Sequence, residues 1–264
     1  MSDTAKVTIV TGASEGIGAE LARVFWQKGH ALVLVARRKD RLDALAAELA
    51  KDGARPAPLV VELDLCAPGA VETLAEALKS AELAAEYLVN NAGFGLMGAA
   101  AKLDPAQQVQ MVDLNVRALT ALTLRFLPQI IAAKGGVLNV ASVASFMPGP
   151  NFAVYYATKA YVRSFSEALA QELAAEGVKV SCLCPGPVET GFQARAGFDF
   201  SGGMGAAKAA MVSAAEVARQ GYEGLIAGQR VVVPGLPNKI MILVAGLLPR
   251  AVLMPMLAAM QKGR

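Results

Sequence analysis

The chain is expected to fold as a doubly wound α/β domain, a parallel sheet of about seven strands with helices on both faces. Three observations carry this expectation. Short β-branched runs alternate with segments of helical periodicity along most of the chain, and a glycine-rich turn joins the first run to the first helical segment. The third is size: 264 residues, 55% hydrophobic and 18% charged, can bury one large core. Repeated strand–helix units imply parallel pairing, because crossovers between parallel strands are nearly always right-handed and lay helices over the sheet.

The first strand is read at residues 6–10, Lys6-Val7-Thr8-Ile9-Val10, and Ile17, Leu21, Val24 and Phe25 then recur at helical spacing. Further strands are predicted at 31–36, 57–62, 87–90, 136–141, 178–184 and 230–233. Leu42, Leu45, Ala46 and Leu49 mark one intervening helix, and Val71, Leu74, Ala75 and Leu78 another. Two longer helices are predicted over 105–134 and 155–176. No linker divides the chain, so residues 1–264 are read as one domain with a core at 6–233, a substrate lid at 191–213 and a hydrophobic extension at 234–264.

Composition narrows the function classes. A formal charge of +3, scattered along the chain, is too little for a nucleic-acid footprint. Met1 to Ala5 pass almost at once into the first strand, leaving no room for a secretion signal, and a cytoplasmic location is expected. Cys66, Cys182 and Cys184 are an odd count without metal-ligand spacing, and Cys182 and Cys184 would share one face of a strand as core residues. The single histidine, His30, falls away from the strand ends where such sheets bind ligands. That argues against a Ser-His-Asp hydrolase and a His-based metal site.

The turn Thr11-Gly12-Ala13-Ser14-Glu15-Gly16-Ile17-Gly18 suits an anion. Residues without Cβ let the backbone approach a ligand, and the following helix presents unpaired N–H groups and the positive end of its dipole. Downstream lie Ser142, Tyr155 and Lys159. Reducing a carbonyl needs a hydride to carbon and a proton to oxygen. Free tyrosine, with a pKa of about 10, is about 4 kcal/mol too weak an acid at neutral pH, a deficit that an ammonium about 4 Å away can offset. Tyr155 and Lys159 are four apart, on one helical face. Tyr156, three from Lys159, is the rival acid, and Ser145 is the alternative to Ser142.

These residues, with Asp64, Asn90-Asn91-Ala92-Gly93, Asn115 and Pro185-Gly186-Pro187-Val188-Glu189-Thr190, occur in an order that resembles the short-chain dehydrogenase/reductase family over residues 6–233. The resemblance implies a Rossmann-type fold and a nicotinamide cofactor bound by Gly12, Ser14, Glu15, Gly16, Ile17 and Gly18. It gives Tyr155 the proton and selects it over Tyr156, whose part is then packing; Ser142 steadies the oxyanion and Lys159 bonds the nicotinamide ribose. It places Asp64, with Leu65 beside it, at the adenine, and Asn91, Ala92 and Gly93 in the turn over the central sheet. Pro185, Gly186, Val188 and Thr190 fall at the carboxamide, and the backbone of Asn115 on a proton path. It also implies a homodimer or homotetramer formed through the two long helices.

The second strand ends in Ala36-Arg37-Arg38-Lys39, without the carboxylate that suits NAD. A 2′-phosphate would meet Arg37, with Arg38 or Lys39 as second contacts, so the expected cofactor is NADP(H). Glu15 either faces solvent or weakens that preference. Phe94, Met97, Phe146, Met147, Pro148 and Phe152, with Phe192, Phe198 and Phe200 in the lid, are expected around a small hydrophobic carbonyl or alcohol substrate; the competing account is that these aromatics only pack the lid against the body. The extension at 239–260 is interrupted by Pro249, Arg250 and Pro255 well short of the roughly 20 residues of a bilayer span. A cleft cover, a subunit contact or a peripheral lipid surface are its candidate roles. Alternatives to ketone chemistry are a 3-oxoacyl-thioester reductase of the same family and a non-catalytic dinucleotide sensor, though the latter would not need the tyrosine and lysine that are present.

Overall fold

The computed structural model describes residues 4–53, 55–188 and 211–261. Seven parallel strands form one sheet in the order β3-β2-β1-β4-β5-β6-β7. They are β1 (Ala5–Thr11), β2 (Ala31–Ala36), β3 (Leu59–Glu62), β4 (Leu83–Asn90), β5 (Gly136–Val140), β6 (Lys179–Leu183) and β7 (Val231–Val232). The helices are α1 (Gly16–Gln27), α2 (Lys39–Leu49), α3 (Ala70–Ser80), α4 (Pro105–Val112), α5 (Leu119–Ala133), α6 (Ala153–Glu172), α7 (Ala214–Ile226), α8 (Leu236–Leu247) and α9 (Arg250–Gln261).

Strand alternation sorts the core into two layers. Val10, Leu32 and Leu34 pack with Leu21 and Phe25 of α1, Leu42 and Leu45 of α2 and Leu225 of α7. Their neighbours Val7, Ile9, Val33 and Val35 point to the opposite face, against Leu74 of α3, Phe126 and Ile130 of α5 and Leu169 of α6. Strands buried on both faces are near-continuous apolar runs, which is why β1 and β2 were legible. β4 starts at Leu83, four residues before the predicted 87, because Leu83, Ala84 and Ala85 pair with Ala5, Lys6 and Val7 ahead of a register shift. The Ala-Ala-Glu stretch has little strand propensity and is recruited by that pairing.

The predicted helix over 105–134 is built as α4 and α5 joined by a π-helical stretch, Asp113–Ala118. Pro105–Ala133 is long and apolar enough to cross a membrane by length and composition, but Met111, Leu119, Leu122, Phe126 and Ile130 are spent on the core. The helix predicted over 155–176 runs from Ala153 to Glu172. Cys182 and Cys184 lie together in the core with Leu119 and Val162, as expected. His30 sits between α1 and β2, where its Nε2 is 3.2 Å from the Tyr222 hydroxyl and its ring meets Phe25 and Tyr87 edge-on.

Candidate active site

The chain order within the sheet reverses between β1 and β4, the place where open α/β sheets bind ligands. Side chains stitch that junction. Thr11 Oγ1 donates to Val89 O (3.1 Å) and accepts from the N–H groups of Asn91 (3.0 Å) and Ala92 (3.1 Å). Asn91 Nδ2 donates to the carbonyls of Thr11 (2.9 Å) and Gly12 (3.2 Å). Gly12 has φ +65°, and a Cβ there would come within 2.7 Å of Asn91 Nδ2; one at Gly18 would overlap Gly12 O. The glycines are thus fixed by the approach of the β4 turn as well as by any ligand. α1 begins at Gly16 with no side-chain cap, so its first N–H groups face outward.

A cavity of about 740 Å³ extends from this turn across the strand ends. Gly12, Ser14, Glu15, Gly16, Ile17 and Gly18 line its first part, with Asn91, Ala92 and Gly93 opposite and Arg37, Arg38, Asp64 and Leu65 at its outer end. Asn90 is buried below, donating to Thr123 Oγ1 and Asn139 Oδ1 at 2.9 Å each, and so ties strands to α5 rather than facing the cavity. Asp64 Oδ1 accepts from the N–H of Cys66 at 2.9 Å.

Glu15 is clasped by Arg38 (2.8 Å) and Arg41 (2.9 Å), and Arg38 also donates to Ser14 Oγ (3.0 Å). Lys39 pairs with Asp43 at 2.6 Å and does not line the cavity. The two expected second contacts are therefore engaged within the chain, and Glu15 is matched by cations. Arg37 makes no ion pair or hydrogen bond among the described residues and faces the cavity.

Further in, β5 delivers Ser142 and α6 delivers Tyr155 and Lys159 to the same wall. Ser142 Oγ accepts from the N–H of Ala144 (3.1 Å), lies 3.4 Å from Pro185 O and hydrogen-bonds the Tyr155 hydroxyl. The Tyr155 ring stacks on Phe152, centroids 4.4 Å apart, and Lys159 Nζ stands 5.7 Å from its centroid. Lys159 Nζ donates to Val140 O at 2.9 Å. Burial pushes the Tyr155 phenol up, with the Ser142 bond opposing, and lowers Lys159 to about 8 against the nearby Cys182 and Cys184. The acidification expected from the lysine is thus outweighed by desolvation among the chain's own groups.

Ser145 is buried away from the cavity, its hydroxyl 3.7 Å from Cys184 Sγ. Tyr156 packs over Gly149 and against Phe152 while its ring borders the cavity. Asn115 lies one layer behind: its amide donates to Phe94 O (2.9 Å) and Thr158 Oγ1 (3.1 Å) and its Oδ1 accepts from the N–H of Phe94 (3.1 Å). It sits in the π-helical stretch, and Thr158 in turn donates to Tyr155 O at 2.7 Å. Pro185, Gly186 and Val188 border the cavity; Thr190 and the lid through residue 210, with Phe192, Phe198 and Phe200, lie outside the described residues.

Of the expected substrate contacts, Phe94, Met147 and Phe152 are in the wall. Met97, Phe146 and Pro148 are not: Met97 packs beside Met111 and Phe152, and Phe146 lies under the Arg163 guanidinium at 4.3 Å. Sequence reasoning missed Leu96, Gln107, Gln110, Leu114, Met241 and Leu257. The last two come from α8 and α9, where Leu253 and Leu257 pack on Met147, so the inner side of the extension closes the cleft.

A family model described as short chain dehydrogenase matches residues 6–199. The chain belongs to the short-chain dehydrogenase family. A serine 3-dehydrogenase of Agrobacterium fabrum is 38% identical over 190 residues, 70% of this chain and 72% of that protein. The structure of a short-chain dehydrogenase from Sphingobium yanoikuyae in complex with NADPH is 29% identical, with a TM-score of 0.77 over 94% of this chain and 97% of that one. A bulky-bulky ketone specific alcohol dehydrogenase from Comamonas testosteroni is 26% identical, with a TM-score of 0.74 over 94% and 96%. This short-chain dehydrogenase is accordingly an oxidoreductase of CH–OH and C=O groups.

Proposed function

We propose that the protein is an NADP(H)-dependent oxidoreductase that interconverts a hydrophobic ketone and its secondary alcohol, with Tyr155 as general acid and base. The observation that carries this reading is the Tyr155 hydroxyl, bonded to Ser142 one helical turn from Lys159, in a cavity running from the glycine turn to an apolar end.

The residues present fit the dinucleotide. The outward N–H groups of α1 and the close-packed Gly12 and Gly18 suit a pyrophosphate, and Arg37 suits a 2′-phosphate because Glu15 is already matched by Arg38 and Arg41. When bound, the nicotinamide would supply or accept the hydride. Asp64 and Leu65 would border the adenine, Asn91 to Gly93 the central part, and Pro185, Gly186 and Val188 the carboxamide end. Thr190 completes that set in the proposal.

In reduction, Tyr155 would give its proton to the substrate oxygen while Ser142 donates a hydrogen bond to the developing charge. Lys159, held by Val140 O, would bond ribose hydroxyls and stabilise the tyrosinate left behind. Asn115 would position the Phe94 backbone and, through Thr158, the start of α6.

The substrate end favours an apolar compound. Phe94, Leu96, Met147, Met241 and Leu257 line it, while Leu114 packs with the cluster that holds Leu65 and Ala92. A serine-like substrate would call for a cation there, yet the lining cations among the described residues, Arg37, Arg38 and Lys159, all belong to the dinucleotide half. The test is loss of nicotinamide absorbance when the protein meets NADPH and a panel of bulky ketones, with an acetoacetyl thioester as comparison. Tyr155→Phe should keep NADPH binding and lose turnover by about 10²–10⁴-fold. Near-normal turnover would overturn the role of Tyr155, and preference for the thioester would overturn the substrate class.

A further inference from the structure

The two C-terminal helices have two different apolar sides. Inward, Leu253 and Leu257 are buried on Met147. Outward, α8 displays Leu236, Ile240, Leu243, Val244 and Leu247, spaced so that they share one helical face, and α9 adds Val252 and Met256. Eight of the twelve exposed large hydrophobic side chains among the described residues fall in these two helices, so the exposure is concentrated rather than scattered. Leu243 is 64% and Leu247 76% exposed, which no internal packing explains.

Charge narrows the occupant. From Pro234 to Arg264 the sequence contains Lys239, Arg250, Lys262 and Arg264 and no aspartate or glutamate. Lys239 and Arg250 flank the apolar face of α8, both exposed. Two copies meeting face to face through this surface would bring like charges together with no carboxylate from the segment to offset them. A bilayer with anionic headgroups offers apolar depth and negative charge at once. Neither helix is long enough to span it, since both are apolar helices of only 12 residues.

We infer that the outer face of α8 and α9 docks on an anionic lipid bilayer, lying in its surface. Met241 both lines the cavity and is 42% exposed on the rim, so docking brings the mouth of the substrate end against the lipid. Docking and hydride transfer are separable properties, and failure of one leaves the other standing.

The experiment is flotation of the full chain with vesicles of phosphatidylcholine alone and of equal parts phosphatidylcholine and phosphatidylglycerol, with sedimentation velocity run in parallel. The expected result is binding to the mixed vesicles, weaker to phosphatidylcholine and weakened by salt. Leu243→Asp combined with Leu247→Asp should lower that binding at least tenfold, and so should Lys239→Glu combined with Arg250→Glu, while reduction of a water-soluble ketone is unchanged. Neither pair lines the cavity. No binding to the mixed vesicles, or equal binding by the variants, overturns the inference. A wild-type oligomer that Leu243→Asp with Leu247→Asp dissociates also overturns it, by assigning the face to a second copy.

Discussion

Replacing Arg37 with aspartate should invert the cofactor preference, and the structure says why Arg37 and not its neighbours. Arg38 is bound to Ser14 and Glu15, and Arg41 to Glu15, so both hold the glycine turn in place. Arg37 alone of the three faces the cavity without a partner among the described residues. A hydrogen bond to a charged group contributes about 1.5–3 kcal/mol, and the exposure of Arg37 places it near the lower end. That corresponds to a loss of roughly 10–30-fold in kcat/KM for NADPH, with NADH use unchanged or improved as the new carboxylate meets the ribose hydroxyls. Arg38→Ala should instead weaken both cofactors together, because it loosens the turn that both share. Steady-state kinetics with each cofactor on one ketone reads the difference. An Arg37→Asp enzyme that keeps the wild-type ratio of kcat/KM values would refute the assignment.

Three further outcomes are expected. Gly18→Ala should weaken dinucleotide binding more than tenfold, measured by fluorescence titration, because its Cβ would overlap Gly12 O and force the turn away from Asn91. Asn115→Ala should lower stability by about 2–3 kcal/mol in urea, since it strands the N–H and C=O of Phe94, and should also shift the pH profile of kcat if Asn115 positions the start of α6. Lys159, lowered by burial to about 8 from the 10.5 of the unfolded chain, makes the unfolded state the better proton binder between those values. Stability of the free protein should therefore rise with pH across that window by about 3 kcal/mol, and the rise should vanish in Lys159→Met, read as urea midpoints at about pH 7.5 and about pH 10. Parallel profiles for the two proteins would contradict the buried, charge-depressed lysine.

The glycine turn and the Tyr155–Lys159 pair were legible because their constraints are local, a positive φ, a strand-to-helix junction and a spacing of four on one helix, whereas Ser142 and the choice of Tyr155 over Tyr156 came from the family resemblance. Thr11 was not legible, since a threonine ending a β-branched run looks like any strand residue until β4 brings Asn91 and Ala92 to its hydroxyl. Gln107, Gln110 and Leu114 escaped for a different reason. Gln107 and Gln110 are polar residues of α4 with no local mark of facing a cavity, and a 3.6-residue period extrapolated through 105–134 loses its faces from Leu114 on, where Asp113–Ala118 turns as a π-helix. The extension was read as broken by Pro249 and Pro255, yet Pro249 separates two helices by accepting from Val252 and Leu253, and Pro255 lies within α9. Which of its side chains reach the cavity depends on how α8 and α9 fold back on Met147, a tertiary fact that no local pattern carries.

Burial of Tyr155 and Lys159 acts against the charged form of each. A phenol pushed up stays protonated but gives up its proton less readily, so burial alone makes Tyr155 a poorer acid for reduction and also withholds the tyrosinate that oxidation needs. The Ser142 bond opposes that rise. With Lys159 near 8, the free protein loses the neighbouring positive charge in mild alkali. The proposed roles of Tyr155 and Lys159 therefore depend, in both directions, on cationic charge brought into the cavity with the coenzyme, because one transition state serves reduction and oxidation alike.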